Sequence, residues 1–188
     1  GDRMIEKYYN GVIEQVAGGI GNVEHNSILV RYSNDFSIWD LESVNHYKDQ
    51  TDIFFTCHEF SYNKIAEAYE PYLGLIRQMF HKYCSGTLEE FMEECDVYKL
   101  QRPVFESYFE KGFCERTEQI LIDEVEYEQE RMHSSIVTML QKLSEICPIV
   151  IVLNRFQLAS KSTMQLTNRL LQTKNKNIGI VLGVNDVQ

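Results

Sequence analysis

The chain has 188 residues, a formal net charge of −10, 44% hydrophobic residues and 12% aromatic residues. That apolar content is enough for a packed core and excludes a disordered chain. The acidic balance argues against adhesion to nucleic acid or anionic membrane, since both need Lys and Arg set against phosphate.

The length fits one domain, or one domain with a small helical insertion. Residues 5–16 (IEKYYNGVIEQV) place apolar side chains at helical spacing, and Gly18, Gly19 and Gly21 end the pattern. Ser27–Tyr32 (SILVRY) reads as a buried strand. After the polar stretch Ser33 to Asp35, a short helix is expected from about Ser37 to Tyr47, capped by Asp35 or Ser37. Thr51–Cys57 (TDIFFTC) is the second expected strand.

The middle of the chain reads as helical. Asn63 to Tyr83 is amphipathic through Ile65, Ala68, Tyr69, Tyr72, Leu75, Ile76, Met79 and Phe80, with Pro71 marking a kink or a restart. Thr87 to Cys95 opens with a capping-box-like pattern in which Glu90 can reach back to the Thr87 cap. Glu115 to Ile146 is expected to form one long helix, or two with a bend near Met132. Its charged stretch, Glu124 to Arg131, reads as a solvated face.

The C-terminal part alternates. Ile149–Leu153 (IVIVL) is apolar throughout and mostly β-branched, as a strand covered on both faces requires. Ser162 to Gln172 is an amphipathic helix and Asn177–Val184 (NIGIVLGV) a fourth strand, so strand, helix and strand with short links predict a parallel crossover. No internal repeat or low-complexity segment is present. A run that stops just after a strand is expected to be a piece of a longer polypeptide, and Gly1 reads as a remnant of tag cleavage. Gly1 and Asp2 do not open a basic and apolar leader, so no signal peptide is expected in this run, and Pro148 to Leu153 is far too short to span a bilayer. Five scattered cysteines without a CxxC pair read as small buried hydrophobes in a reducing compartment, and a cytoplasmic location is expected.

The segment PIVIVLNRFQLASKSTMQLTNRLL resembles the Walker B region of the STAND and AAA-like ATPase modules of multidomain bacterial regulators. In that family an apolar strand ends in one or two acidic residues; then come a His-Trp-like pair, a small residue, Asp, and a Ser-rich helix start. Here Asn154 and Arg155 stand at the acidic pair, Gln157 and Leu158 at the His-Trp pair, Ala159 at the small residue and Ser160 at the Asp. The strand IGIVLGVND is similar to the family's sensor strand, with Asn185 close to its polar position. A softer likeness joins FFTCHE and AYEPYLGL to the turn and the Pro-Tyr-x-Pro-Leu helix that follow the family's second strand. The resemblance implies a three-layer αβα P-loop NTPase-like parallel sheet, with a helical insertion at about 63–146 between the second and third strands. The C-terminal strands then fall at about 148–186.

The ionic chemistry of such a site is missing from the matching positions. A phosphate loop needs glycines to expose backbone N–H groups, Lys to neutralise the phosphates and Ser or Thr to ligate magnesium. The stretch YSNDFSIWDLES has neither glycine nor lysine, and it puts Ser33, Asn34, Asp35 and Ser37 at the phosphate-loop position. Asn154 is neutral and Arg155 cationic where a carboxylate should hold magnesium. No catalytic residue and no metal or nucleotide cofactor is therefore expected. Weak nucleotide binding through Arg31 or Arg155 stays open, against the plainer reading that Arg155 pairs with a nearby carboxylate.

Other candidates are weaker. Cys57, His58 and Glu59 suggest a nucleophile and a base, but adjacent strand residues point to opposite faces. The histidines His25, His46, His58, His81 and His133 form no metal-binding spacing. Trp39 falls in the degenerate loop and reads as a space filler or ordinary core. Tyr62, Tyr69, Tyr72 and Tyr83 read as a half-buried amphipathic face, with an exposed docking surface as the alternative. The function expected is a non-catalytic signalling or regulatory module that contacts neighbouring domains or other proteins, with no nucleic-acid or membrane contact of its own. The rival is an atypical ATPase domain of a bacterial signal-transduction or transcription regulator, taking its missing groups from elsewhere.

Overall fold

A computed structural model describes residues 2–22, 27–32, 52–112 and 126–185. Among them are four β-strands in one sheet and six α-helices. The order along the chain is α1 (Asp2–Gly18), β1 (Ser27–Tyr32), β2 (Phe54–Glu59), α2 (Tyr72–Tyr83), α3 (Leu88–Glu94) and α4 (Arg102–Lys111). Then come α5 (Glu126–Ile146), β3 (Ile149–Asn154), a short 3₁₀ turn (Phe156–Leu158), α6 (Lys161–Thr173) and β4 (Ile178–Asn185).

The strands lie in the order β1-β4-β3-β2, and every neighbouring pair is parallel. β1 and β2 follow one another in sequence and occupy opposite edges, while β4 lies between β1 and β3. The expected parallel pairing of β3 with β4 is present, with Ile151 opposite Ile180 and Leu153 opposite Leu182. β3 is buried along its whole length, which accounts for its unbroken apolar sequence.

The chain forms two compact units: Gly1–Ala66 with Cys147–Ala159 and Leu171–Gln188, and Glu67–Ile146 with Ser160–Leu170. In the first, Val12, Ile13 and Val16 of α1 pack on one face of the sheet against Val30, Phe55, Val150, Val152 and Val181. Phe55 is in register with Val150, and Val152 with Val181, so these side chains share that face. Past α1, the Gly21 N–H donates to the Lys176 carbonyl at 2.6 Å, in a turn whose φ of 91° suits glycine.

In the second unit α2 packs against α5 and α4. Ile76, Met79, Phe105, Ile136, Met139, Leu140 and Leu143 are essentially inaccessible to solvent. The Phe80 ring lies 5.4 Å from Phe91 and 5.6 Å from Phe109, tying α2 to α3 and α4.

Several expected boundaries shift. α1 begins at Asp2, ahead of the expected start at Ile5, and β2 runs Phe54–Glu59 in place of Thr51–Cys57. The helix expected from Asn63 begins only at Tyr72, behind Pro71, which follows a cis peptide bond and makes the restart. Tyr69 has a φ of 61° and Ile65 is 90% exposed, so the helical spacing before Pro71 does not correspond to a helix. α3 is capped as expected, with Thr87 Oγ1 accepting the Glu90 N–H at 3.1 Å. α4 was not expected, although Pro103 in its first turn and left-handed Gly112 after its last residue bracket it. Within the described residues α5 runs through Met132 as one helix. The short helix expected at Ser37 to Tyr47, and the first part of the Glu115 helix, lie outside the described residues.

Candidate functional site

In a parallel sheet all carboxyl ends gather at one edge, and open α/β sheets bind ligands outside that edge. Here it is formed by Tyr32, Glu59, Asn154 and Asn185. Tyr32 is in register with Asn185, and Glu59 with Asn154. Two of the residues singled out in the sequence, Asn154 and Asn185, thus come to the same edge, with Arg155 directly following. Ser33, Asn34, Asp35 and Ser37, and Trp39 with them, lie outside the described residues.

The Asn154 side chain is fully buried. Its Nδ2 donates toward Cys57 Sγ at 3.6 Å, and the Asn154 backbone carbonyl accepts the Phe60 N–H at 3.0 Å. β3 ends because Arg155 turns into the left-handed region at φ 56° and ψ 45°, which costs a non-glycine residue about 1 kcal/mol. The turn carries the guanidinium back over β2. Arg155 Nε lies 3.3 Å from Glu59 Oε1, and the guanidinium sits 5.8 Å from the Tyr62 ring centre. Arg155 pairs with a carboxylate, the plainer of its two sequence readings.

β4 extends beyond β3, and a side chain continues the ladder there. Gln157 Oε1 accepts the Asn185 N–H at 3.0 Å, and Gln157 Nε2 donates to the Asn185 carbonyl at 2.9 Å. The carboxamide thereby takes the place of a neighbouring strand's peptide group. Sequence reasoning placed Gln157 only by its resemblance position and named Glu59 only beside Cys57. A polar residue three positions beyond a strand end was the available signal for the clasp, and it does not specify a partner.

Cys57 packs with the cluster beneath α1, whereas His58, its neighbour along β2, points to the other face and meets the Phe60 ring edge-on at 4.7 Å. A shared proton between them has no geometric support. Within the helical unit, the segment AYEPYLGL of the softer likeness meets the Ser- and Thr-rich start of α6 through hydroxyls. Ser162 Oγ accepts the Tyr69 N–H at 3.2 Å, Thr163 Oγ1 donates to the Glu70 carbonyl at 2.8 Å, and Tyr72 Oη bonds Thr167 Oγ1 at 2.6 Å. Tyr69 and Tyr72 are wholly buried while Tyr62 is 54% exposed, so these tyrosines do not form one surface. Burial raises the Tyr72 phenol far above its ordinary value and pushes the Cys95 thiol up to about 12, which makes that sulfur a poor nucleophile.

Among the described residues no group of three His, Cys, Asp or Glu side chains could hold a metal ion, and no helix is long and apolar enough to cross a membrane. The fold defines a mixed α/β protein with a four-stranded, all-parallel sheet. No family model, curated protein or solved structure gives a significant match to the chain.

Proposed function

We propose that the chain is a non-catalytic, P-loop NTPase-like module of a cytoplasmic multidomain regulator, acting through contacts with neighbouring domains or other proteins. The observation that carries this reading is the end of β3. Where the STAND and AAA-like pattern has its acidic pair, the chain has a fully buried neutral amide, Asn154, and a cation, Arg155, drawn onto Glu59. Magnesium coordination needs carboxylate oxygens, and water activation needs a base at that point. A guanidinium paired with its own carboxylate supplies neither.

Two further features support the reading. In the order β1-β4-β3-β2, the strand expected to be the sensor strand lies between the one expected to precede the phosphate loop and the one expected to carry the Walker B motif, so the three strands are neighbours. The polar end of the expected sensor strand is occupied internally, because Gln157 takes both backbone groups of Asn185. The three-layer P-loop frame is part of the same proposal.

Thermal unfolding in the presence of ATP, ADP and GTP, with and without magnesium, tests it. A ligand that binds only the folded chain raises the midpoint by mass action. No magnesium-dependent rise is expected; a rise that grows with nucleotide concentration and disappears with chelator would contradict the reading.

A further inference from the structure

We propose that the helical unit carries an oxyanion site beside Arg77, one that takes the carboxylate or phosphate group of a small ligand. A cleft of about 450 Å³ opens along α2, lined by Gly74, Arg77, Gln78 and His81. Arg77 and Gln78 lie three and four positions after Gly74, and His81 four and three positions after them, so the four line one stripe of the helix. Gln78 and His81 are exposed, and Arg77 is half-buried.

The donors are held and uncommitted. Arg77 Nε donates to the Phe109 carbonyl at 2.9 Å, which fixes the plane of the guanidinium. Its Nη1 and Nη2 have no hydrogen-bond or carboxylate partner among the described residues, whereas Arg102, Arg155 and Arg169 each meet a carboxylate. In a chain with 28 acidic and 18 basic residues, a half-buried arginine that meets no carboxylate among the described residues stands apart from Arg102, Arg155 and Arg169. A planar guanidinium with two parallel N–H groups fits a carboxylate or phosphate edge.

Glycines permit close approaches beside this stripe. A β-carbon on Gly74 would stand 3.2 Å from Tyr108 Oη, and one on Gly112 would stand 3.3 Å from Arg77 Nη1. His81 lies one turn beyond Arg77 and adds a ring N–H, and Gln78 adds an amide donor between them. The negative charge of the whole chain repels anions, so binding here would come from local donors and not from general attraction.

The test is a titration of the full chain with inorganic phosphate, malonate and, as an ionic-strength control, chloride, following the His81 imidazole C–H signals by NMR. A saturable shift with phosphate or malonate, absent with chloride, is expected, and whichever ion saturates first identifies the group preferred. Arg77→Gln is expected to weaken that binding about tenfold, the loss of one charge-assisted contact, and Arg77→Lys to restore part of it. His81→Gln and Gln78→Ala change exposed positions; each should weaken binding, read by calorimetry, even if Arg77→Gln disturbs folding. Shifts that track chloride, or affinity unchanged in Arg77→Gln or in both surface variants, would overturn the proposal.

Discussion

Gln157 meets Asn185 with both ends of its carboxamide, accepting the Asn185 N–H at 3.0 Å and donating to the Asn185 carbonyl at 2.9 Å. Asn185 is buried, so these backbone groups depend on Gln157 where β3 has already ended. Gln157→Ala is expected to destabilise the fold by about 1–2 kcal/mol, the usual cost of stranding buried polar groups. Gln157→Glu keeps the acceptor but turns an oxygen toward the Asn185 carbonyl, so it should be worse at neutral pH than near pH 4. Urea unfolding with amide exchange at Asn185 measures both effects; unchanged stability and exchange would show that the clasp does not hold the end of β4.

Restoring a carboxylate at the end of β3 tests what kind of place it is. The Asn154 side chain is fully buried, and an ionised Asp there would lose its hydration beside the Glu59 carboxylate, which the Arg155 guanidinium already pairs. Asn154→Asp is expected to cost about 2–4 kcal/mol at pH 7. The cost should shrink as the pH falls and the new carboxyl is protonated. Magnesium should not relieve it. Denaturation with and without magnesium reads this directly; recovery of stability with the metal would mean that the position lies in a working metal site.

The left-handed Arg155 combines backbone strain with a partly exposed ion pair, in which the Glu59 side chain is 39% accessible. Arg155→Ala is expected to cost about 1 kcal/mol or less by losing the pair. Arg155→Gly loses the same pair but relieves the backbone by a similar amount, so its stability should lie close to that of the parent. Chemical denaturation of the three chains gives the order; a glycine variant less stable than the alanine variant would refute the strain argument.

His133 on α5 is buried, edge-on to Tyr69 at 5.4 Å, with Arg169 of α6 and Glu130 of its own helix as the charged groups around it. Burial and the Arg169 charge hold its pKa below the ordinary 6.5, against a smaller opposing effect of Glu130. The unfolded chain therefore binds the proton more readily than the folded one. The stability that neutral His133 contributes is complete above pH 6.5 and is lost as the pH falls through that value toward the folded pKa. His133→Gln should flatten the fall in unfolding free energy between pH 7 and pH 5, about the range in which a histidine titrates. An identical slope in parent and variant would exclude His133 as its source.

Part of this architecture was written locally in the chain. The unbroken β-branched run of β3, the glycines after α1 and the Thr87 cap each act within a few residues, so sequence spacing reveals them. The stretch from Asn63 misled because Ile65, Ala68 and Tyr69 keep helical spacing, while Pro71 and the left-handed Tyr69 decide the backbone. α4 went unrecognised although Pro103 and Gly112 marked its two ends. The places of β1 and β2 in the sheet rest on pairings between residues far apart in sequence, such as Ile28 with Val181 and Phe55 with Val150, and no local pattern encodes them. The family likeness singled out Asn154, Arg155 and Asn185, and only the three-dimensional structure shows Glu59 meeting Arg155 and Gln157 meeting Asn185.

The most direct measurement is isothermal titration calorimetry of the chain with ATP, ADP and GTP, each with magnesium and with a chelator. With Asn154 and the Arg155–Glu59 pair at the end of β3, the heats should be the same in both conditions and show no micromolar affinity. Micromolar binding that requires magnesium would contradict the account.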